Sequence, residues 1–373
     1  MKKTVFIAAL AVVAMASCTK NELKVPSNGT DAVISFQPVV ANATKAGYIT
    51  NSSIAPVGST SDFKFTVYAW YTHNAEMTAS TTTATATKYM DAVEVSYKSS
   101  HDDTTQGEGG WSPATTYYWP KNGYLSFDAY APSAASTDGT FSPSVEHGLQ
   151  ITNYTVKDLA QQYDLLYSTR TLNKTTSTGG NNDTYDGVDI KFKHALSAIE
   201  VTAKTFADYS DAIKLKKITI LNAYNKGNFS QGMTDAVTES SAAWDPSNET
   251  EYVLFTNDSG VVLDQTGLSS ESTPNAISNA ILLPQDFSHT GGNKVSIKVD
   301  YTIKCDAGDL AQSYTVDLST TSGSEAGGAS ASLSAWQIGK RYTYNFIFTL
   351  DEVYFAPKVE DWKDVTVNKI DVK

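Results

Sequence analysis

The chain has 373 residues and a net charge of −12 at pH 7, with 28 lysine or arginine residues against 40 aspartate or glutamate residues. This acidic balance excludes a nucleic-acid partner, because phosphate binding needs clustered lysine and arginine side chains. At about 100–200 residues per domain, the length predicts two domains, each able to bury a substantial core. The two cysteines are Cys18 and Cys305, and lipidation of the first would exclude an internal disulfide.

The N-terminus has the organisation of an export signal. Two lysines are followed by an apolar run at residues 5–16 and by small residues before Cys18, and the run is shorter than the about 20 residues that span a bilayer. A cysteine at this point resembles a bacterial lipobox, in which the thiol is acylated and becomes the mature N-terminus. We therefore expect residues 1–17 to be a lipoprotein signal peptide, residues 18–30 a polar tether, and Cys18 an outer-membrane anchor. An ordinary signal peptide with an incidental cysteine is the alternative.

Beyond the tether, apolar residues recur at every second position and are interrupted by Gly, Asn, Asp, Ser and Pro. This alternation predicts an all-β protein. The first strand is predicted at residues 32–37, with Ala32, Ile34 and Phe36 on one face. Pro38 indicates the end of that strand or an edge position, because proline donates no ladder hydrogen bond.

The strongest alternation in the N-terminal half lies at residues 63–71 and predicts a strand with Phe65 on one face and Trp70 on the other. Each half contains about six or seven such segments, which fits two antiparallel β-sandwiches in tandem. We place the domains at residues 31–187 and 188–373.

The sequence contains no catalytic motif of the serine-hydrolase, zinc-protease or P-loop type. We expect His194 to be a packed histidine and Cys305 a buried small hydrophobe. No enzymatic activity, metal or cofactor is expected. The aromatic cluster at residues 111–130 has two interpretations: a platform that stacks on glycans, or core and inter-domain packing.

Several motifs that occur in a fixed order carry a family resemblance. They are the lipobox, the aromatic segments 111–127 and 130–132, and residues 164–168 (DLLYS), 192–197 (FKHALS), 281–285 (ILLPQ) and 357–362 (PKVEDW). Together they resemble the fimbrillin family of Bacteroidales lipoproteins, the Mfa-like and FimA-like pilus subunits. The resemblance implies two transthyretin-like β-sandwich domains and a structural role in a cell-surface fimbria. It also implies adhesion to a host or bacterial surface receptor, with other pilus subunits, self or paralogous, as partners.

The resemblance further implies assembly by strand exchange. A trypsin-like protease cuts behind the first strand of a family subunit, and a strand from the C-terminal end of another subunit fills the groove that this strand leaves. On this sequence the displaced strand carries Ala32, Ile34 and Phe36, and the cut follows Lys45, so that Ala46 becomes the mature start. The donor strand would carry Val365, Val367, Ile370 and Val372. The second donor pair lies out of register with the first unless a bulge between the pairs corrects it.

One residue departs from the family pattern. The best-known members carry arginine at the cut, whereas this chain carries Lys45. Either a lysine-tolerant protease acts here, or the subunit is not processed and serves as an anchor or cap. A surface-exposed glycan-binding lipoprotein is the alternative function.

Overall fold

The structure is a computed structural model that describes residues 33–40, 54, 61–98, 110–175, 187–290, 292–320, 322–325 and 330–362. Within these residues the chain is all-β, as predicted. The first ten strands are β1 (Phe36–Val40), β2 (Lys64–Thr72), β3 (Thr87–Lys98), β4 (Gly110–Pro113), β5 (Tyr124–Ala131), β6 (Thr140–Phe141), β7 (Gln150–Thr155), β8 (Leu166–Ser168), β9 (Thr171–Lys174) and β10 (Val188–His194).

The strands that follow are β11 (Ser197–Thr205), β12 (Ile213–Ser230), β13 (Ala243–Val262), β14 (Ala280–Leu282), β15 (Gln285–Asp286), β16 (Ser296–Cys305), β17 (Gly308–Asp317), β18 (Ser322–Glu325), β19 (Ser330–Ser332), β20 (Ala335–Trp336), β21 (Lys340–Phe348) and β22 (Val353–Asp361). Short 3-10 helices span Ser133–Thr137, Leu159–Gln161, Ala207–Tyr209 and Leu318–Thr320.

The first sheet closes into a ring of seven strands. Its hydrogen-bonded order is β2-β3-β4-β1-β10-β8-β5, and β5 pairs again with β2, while β9 extends from β5. The β1–β10 pair is parallel, whereas the neighbouring β1–β4 and β10–β8 pairs are antiparallel. A closed ring removes the free strand edges, so β1 is an interior strand between β4 and β10.

Two further sheets form most of the C-terminal half. One has the order β14-β11-β21-β22-β18-β19, and the other has the order β17-β16-β12-β7-β6 with β13 paired to β12. Register shifts interrupt the long β12–β13 ladder, as expected where β-bulges bend a strand. A short β15–β20 pair completes the described sheets.

Strands on both sides of residue 188 share sheets. β10 begins at Val188 and pairs with β1 and β8, and β7 pairs with β12. The larger of two buried apolar clusters includes residues from Ile34 to Trp362. The division at residues 187 and 188, and the transthyretin-like form of each half, stay predictions.

The strand at residues 63–71 is buried on both faces, although its alternation is typical of a strand with one solvent-facing side. All residues of β2 except Lys64 are buried. Trp70 lies in a second, smaller apolar cluster with Val145 and Ala236. Segments distant in the sequence therefore cover the face that carries Trp70.

Cys305 differs from the prediction because it is exposed. It is the last residue of β16, and its ladder partner in β17 is Gly308. The alternation of β16 continues into the tip of this hairpin, where the strand has passed beyond the core. The prediction of a buried cysteine was wrong for this reason.

Candidate assembly site

The structure describes only part of the predicted assembly site. Ile34 and Phe36 of the first strand are described. Four parts of the predicted site lie outside the described residues. They are the lipidation residue Cys18, the cut site at Lys45 and Ala46, the first residue of the predicted strand, Ala32, and the donor strand with Val365, Val367, Ile370 and Val372. The site can therefore be built from the first strand and its groove.

The backbone of the first strand is held mainly along one edge. β1 makes five consecutive residue pairs with β10, from Phe36–Val188 to Val40–Phe192. On the other edge, β4 contributes the pair between Phe36 and Trp111. The chain before β1 adds a hydrogen bond from the Ile34 amide to the Tyr117 carbonyl at 2.8 Å.

The side chains of the first strand alternate between core and solvent. Ile34, Phe36, Pro38 and Val40 are buried, whereas Gln37 and Val39 are exposed. The strand thus presents four buried positions at intervals of two residues, the pattern of a strand with one face on a core. We call the space that these four side chains occupy the first-strand groove.

Phe36 is the central anchor of the first-strand groove. Its ring lies edge-on to Phe65 at a centroid distance of 6.0 Å and edge-on to Phe127 at 5.7 Å. Phe65 in turn contacts Phe192 of β10 at 5.6 Å. Edge-to-face pairs add about 0.5–1.5 kcal/mol each beyond the burial of area. Residues from three strands of the ring therefore form an aromatic wall around this position.

Gly187 sets how closely the first strand approaches β10. A Cβ atom at this glycine would lie 2.4 Å from the Phe36 nitrogen and 2.5 Å from the Ser35 carbonyl carbon. The adjacent Val188 amide donates to the Ser35 carbonyl at 2.8 Å. The absence of a side chain at Gly187 is thus what allows the two backbones to pair here, a role that the sequence pattern does not reveal.

Pro38 lies inside a strand, contrary to the prediction that β1 ends there or forms an edge. It is buried and pairs with Ile190 in the parallel ladder. Backbone groups of successive residues point to opposite edges of a strand, so Pro38 turns its nitrogen toward the β4 side, like Phe36. The described β1–β4 register consists of the Phe36–Trp111 pair, so no described ladder bond requires an N–H from Pro38.

Tyr89 supports the segment that pairs with the residues before β1. Its hydroxyl donates to the Tyr118 carbonyl, and Tyr118 forms an isolated bridge with Val33. Burial raises the pKa of Tyr89 to about 12, and Tyr117 contributes to the same shift. The phenol therefore stays protonated and able to donate at neutral pH.

The chain that leads to the predicted donor strand is anchored on β10. Trp362 is buried, and its indole stacks on the His194 ring at 3.8 Å with an interplanar angle of 6°. His194 is buried, as predicted for a packed histidine, and its Nδ1 lies 2.9 Å from a carboxylate oxygen of Asp164. The Trp362 amide also donates to the Gly339 carbonyl at 2.9 Å. β10 thus contacts the first strand along its length and the end of β22 at its last residue.

A buried ion pair fixes the loops that cover β2. Arg170 donates from Nη2 to Asp128 at 2.7 Å, with side-chain exposures of 2% and 1%. Its Nη1 donates to the Val145 and Ala236 carbonyls, and the Trp70 indole donates to the same carboxylate at 2.8 Å. Every partner is hydrogen-bonded, as a buried charge requires. The sequence signal for this pair was an aspartate within a strongly apolar strand.

The aromatic cluster at residues 111–130 mostly serves packing. Trp111, Trp119, Phe127 and Tyr130 are buried, and Tyr118 is the large exposed member. A separate open cleft of about 390 Å³ is lined by Thr202, Ala203, Lys204, Thr266, Gly267, Leu268, Ser269, Asn345, Ile347 and Ala356. This lining contains no aromatic face of the kind that stacks on sugars, so neither place favours the glycan-platform interpretation.

Neither a membrane-spanning helix nor a cluster of metal ligands occurs among the described residues. They contain no helix with the length and apolar character needed to cross a membrane. The same part of the chain contains no group of three or more His, Cys, Asp or Glu side chains placed to share a metal ion.

Known proteins share this sequence pattern and fold. The fimbrillin-like family matches residues 55–362. A fimbrial protein from Bacteroides vulgatus has a similar structure, with a TM-score of 0.55, 18% identity, and 89% of this chain and 99% of that chain covered. A candidate cell adhesion protein from Bacteroides uniformis has a TM-score of 0.50, 16% identity, and coverage of 91% and 100%. No curated protein matches. Because the family match covers most of the sequence, the chain belongs to the fimbrillin-like family.

Proposed function

We propose that this chain is a structural, non-enzymatic subunit of a cell-surface pilus that is exported as an outer-membrane lipoprotein and assembled by strand exchange. Family membership supports the structural role in a fimbria. The lipobox cysteine Cys18 supports the lipid anchor. Adhesion to a host or bacterial surface is the purpose that fimbrial assembly would serve.

The observation that carries the proposal is the position of β1 in the ring. It is a short strand of five residues whose removal would leave β4 and β10 as the two edges of a gap. Unpaired strand edges next to an exposed apolar groove are a template for an added strand. A strand from another subunit would restore both the ladder hydrogen bonds and the buried side chains.

Processing would open this gap. Lys45 follows the end of β1 by five residues, so a cut there separates β1 from the rest of the ring without removing any other strand that the structure describes. The two arginines of the chain are Arg170, which is buried, and Arg341, which is paired with Glu360. A protease that cleaves after lysine is therefore the kind that would start assembly at Ala46.

The donor strand would follow directly from β22. Trp362 is anchored on His194, and the segment that follows it carries the alternating residues Val365, Val367, Ile370 and Val372. The fixed tryptophan would give this donor segment a defined starting point on the surface of its own subunit.

Limited trypsin digestion of the mature chain, with N-terminal sequencing and electron microscopy, tests the proposal. We expect an early cut after Lys45, a new N-terminus at Ala46, and filaments or ladders after the cut. Lys45→Arg is the matched control that keeps the trypsin site, and Lys45→Ala should block both the cut and the filaments. Filaments from Lys45→Ala would refute the processing step, and filaments after deletion of residues 364–373 would refute the donor assignment. A chain that is cut and stays monomeric would point to an anchor or cap.

A further inference from the structure

One position of the first-strand groove requires a much larger side chain than the other three. Its four buried positions hold Ile34, Phe36, Pro38 and Val40. Three of these are aliphatic and of moderate size. The Phe36 ring is the exception, because it fills a space bounded edge-on by two other phenylalanine rings.

A smaller side chain at the Phe36 position would leave that space empty. The surrounding rings belong to β2 and β5, which pair with each other along seven residues, so they cannot collapse inward without breaking the ladder. Truncation of a buried phenylalanine weakens packing by an amount that corresponds to a loss of about a hundredfold or more in affinity. The Phe36 position is therefore the principal determinant of which strand fills the groove.

The segment predicted to be the donor strand does not supply such a side chain. Residues 363–373 contain no aromatic residue. With Val365, Val367 or Ile370 at the Phe36 position, a regular strand in either direction turns a lysine or asparagine side chain into another buried position. Burying an unpaired polar group is costly, so a regular strand from this tail fits the groove poorly.

A bulge improves the register but not the central contact. With one extra residue between the pairs, Val365, Val367, Ile370 and Val372 would occupy the four buried positions, in this order if the tail runs in the direction of β1 and in the reverse order if it runs the other way. Val367 in the first case, or Ile370 in the second, would then occupy the space of a phenylalanine ring. The extra residue would also interrupt a ladder that β1 forms with β10 over five consecutive pairs.

We infer that the first-strand groove selects a strand with an aromatic side chain at the Phe36 position, so that its occupant in the pilus is such a strand of another subunit and not the segment at residues 363–373 of a second copy of this chain. This inference rests on the proposed strand exchange. The expected partner strand alternates apolar residues, places Phe, Tyr or Trp at the second buried position, and has an aliphatic residue four positions later. It needs no backbone donor at the Pro38 position.

Peptide exchange into the cut chain tests the inference. A full chain with a specific protease site inserted after Lys45 is folded intact and then cut, so that β1 stays in place until it is displaced. Two labelled peptides of equal length compete for the groove: residues 32–41, from the first strand, and residues 364–373, from the tail. Fluorescence anisotropy measures their incorporation.

We expect the first-strand peptide to bind about a hundredfold or more tightly than both its Phe36→Ala form and the tail peptide. The change Val367→Phe, or Ile370→Phe if the tail runs opposite to β1, should tighten the tail peptide at least about tenfold. The matched change Val365→Phe places the ring at a different buried position in both directions and should not. Only an effect of Val367→Phe or Ile370→Phe that Val365→Phe lacks agrees with selection at the Phe36 position.

The outcomes separate the inference from the proposed function. Equal binding of the unmodified tail and the first-strand peptide, or an unchanged affinity of the Phe36→Ala peptide, would overturn the aromatic selection and leave strand exchange standing. Failure of the first-strand peptide itself to enter the cut chain would refute strand exchange, and the inference with it.

Discussion

Replacing Gly187 with alanine directly perturbs the backbone pairing between β1 and β10. The new Cβ would lie 2.4 Å from the Phe36 nitrogen, 2.5 Å from the Ser35 carbonyl carbon and 2.7 Å from the Phe36 carbonyl carbon, whereas ordinary contact begins at 3.4 Å. All three are backbone atoms, so no side-chain rotation relieves the clash. β1 must instead move away by about 1 Å, in a core that is packed as densely as a crystal.

The size of the effect follows from what this movement breaks. The 2.8 Å hydrogen bond from Val188 to Ser35 would stretch beyond the usual range, at a cost of about 1 kcal/mol. Displacing Phe36 within the aromatic wall adds about 1–3 kcal/mol, as for other overpacked cores. The free energy of opening β1 should fall by about 2–4 kcal/mol in total, which corresponds to an equilibrium constant for local opening about 30- to 1000-fold larger.

Hydrogen exchange measured by mass spectrometry on the intact chain reports this opening at residues 33–40. Gly187→Ala should lower their protection, while strands of the C-terminal sheets keep theirs. Gly308→Ala is the control: its Cβ meets nothing within 4 Å, and any strain from its positive φ stays in an exposed hairpin tip. Unchanged protection at residues 33–40 in Gly187→Ala would show that the close approach does not control the first strand.

Three other outcomes are expected. Arg170→Met leaves the buried Asp128 carboxylate without its ion-pair partner and should lower the free energy of unfolding, measured in urea, by about 3–5 kcal/mol. The control Lys64→Met removes an exposed ion pair and should change that free energy by less than about 1 kcal/mol. Similar losses in the two variants would contradict the argument from burial. Trp362→Ala should lower the free energy of unfolding by about 3–5 kcal/mol. The control Tyr354→Ala should lower it by about 0.5 kcal/mol or less, because Tyr354 is 50% exposed. Equal effects would mean that the stack of Trp362 on β10 does not anchor the end of β22. Burial raises the pKa of Tyr342 to about 12, above the unfolded value of about 10. The stability that this shift contributes is therefore complete below pH 10 and is lost as the pH rises toward 12. Tyrosinate absorbance should rise together with the loss of the circular dichroism signal, and titration of all tyrosines before unfolding would contradict this.

The fold class was accessible from the sequence because it depends on local alternation. The period of two in segments such as residues 63–71 and 188–194 needs no knowledge of the partner strands. Family membership was accessible because the ordered motifs lie mostly at buried positions of the ring and of β14, β15 and β22. Both conclusions draw on information that neighbouring residues carry.

The closure of the ring and the covering of its outer face were not accessible. Trp70 is covered by groups distant in the sequence: its indole donates to Asp128, 58 residues away, and Asp128 is paired with Arg170, a further 42 residues along the chain. The role of Gly187 could not be predicted because it follows a polar loop, where glycine is common. The need for a residue without a side chain arises only from its contact with Phe36. Cys305 was misplaced because alternation does not reveal where a hairpin leaves the core.

The parallel pairing of β1 with β10 has a mechanical consequence. In the proposed filament, tension enters a subunit through the strand in its groove and leaves through the segment after Trp362. Both attachments lie on β10: five backbone pairs at one end and the His194 stack at the other. A pull along the strand axis loads those backbone bonds in shear, all together, and does not peel them one at a time. The subunit would thus transmit force through a single short strand in the geometry in which a β-ladder resists rupture best.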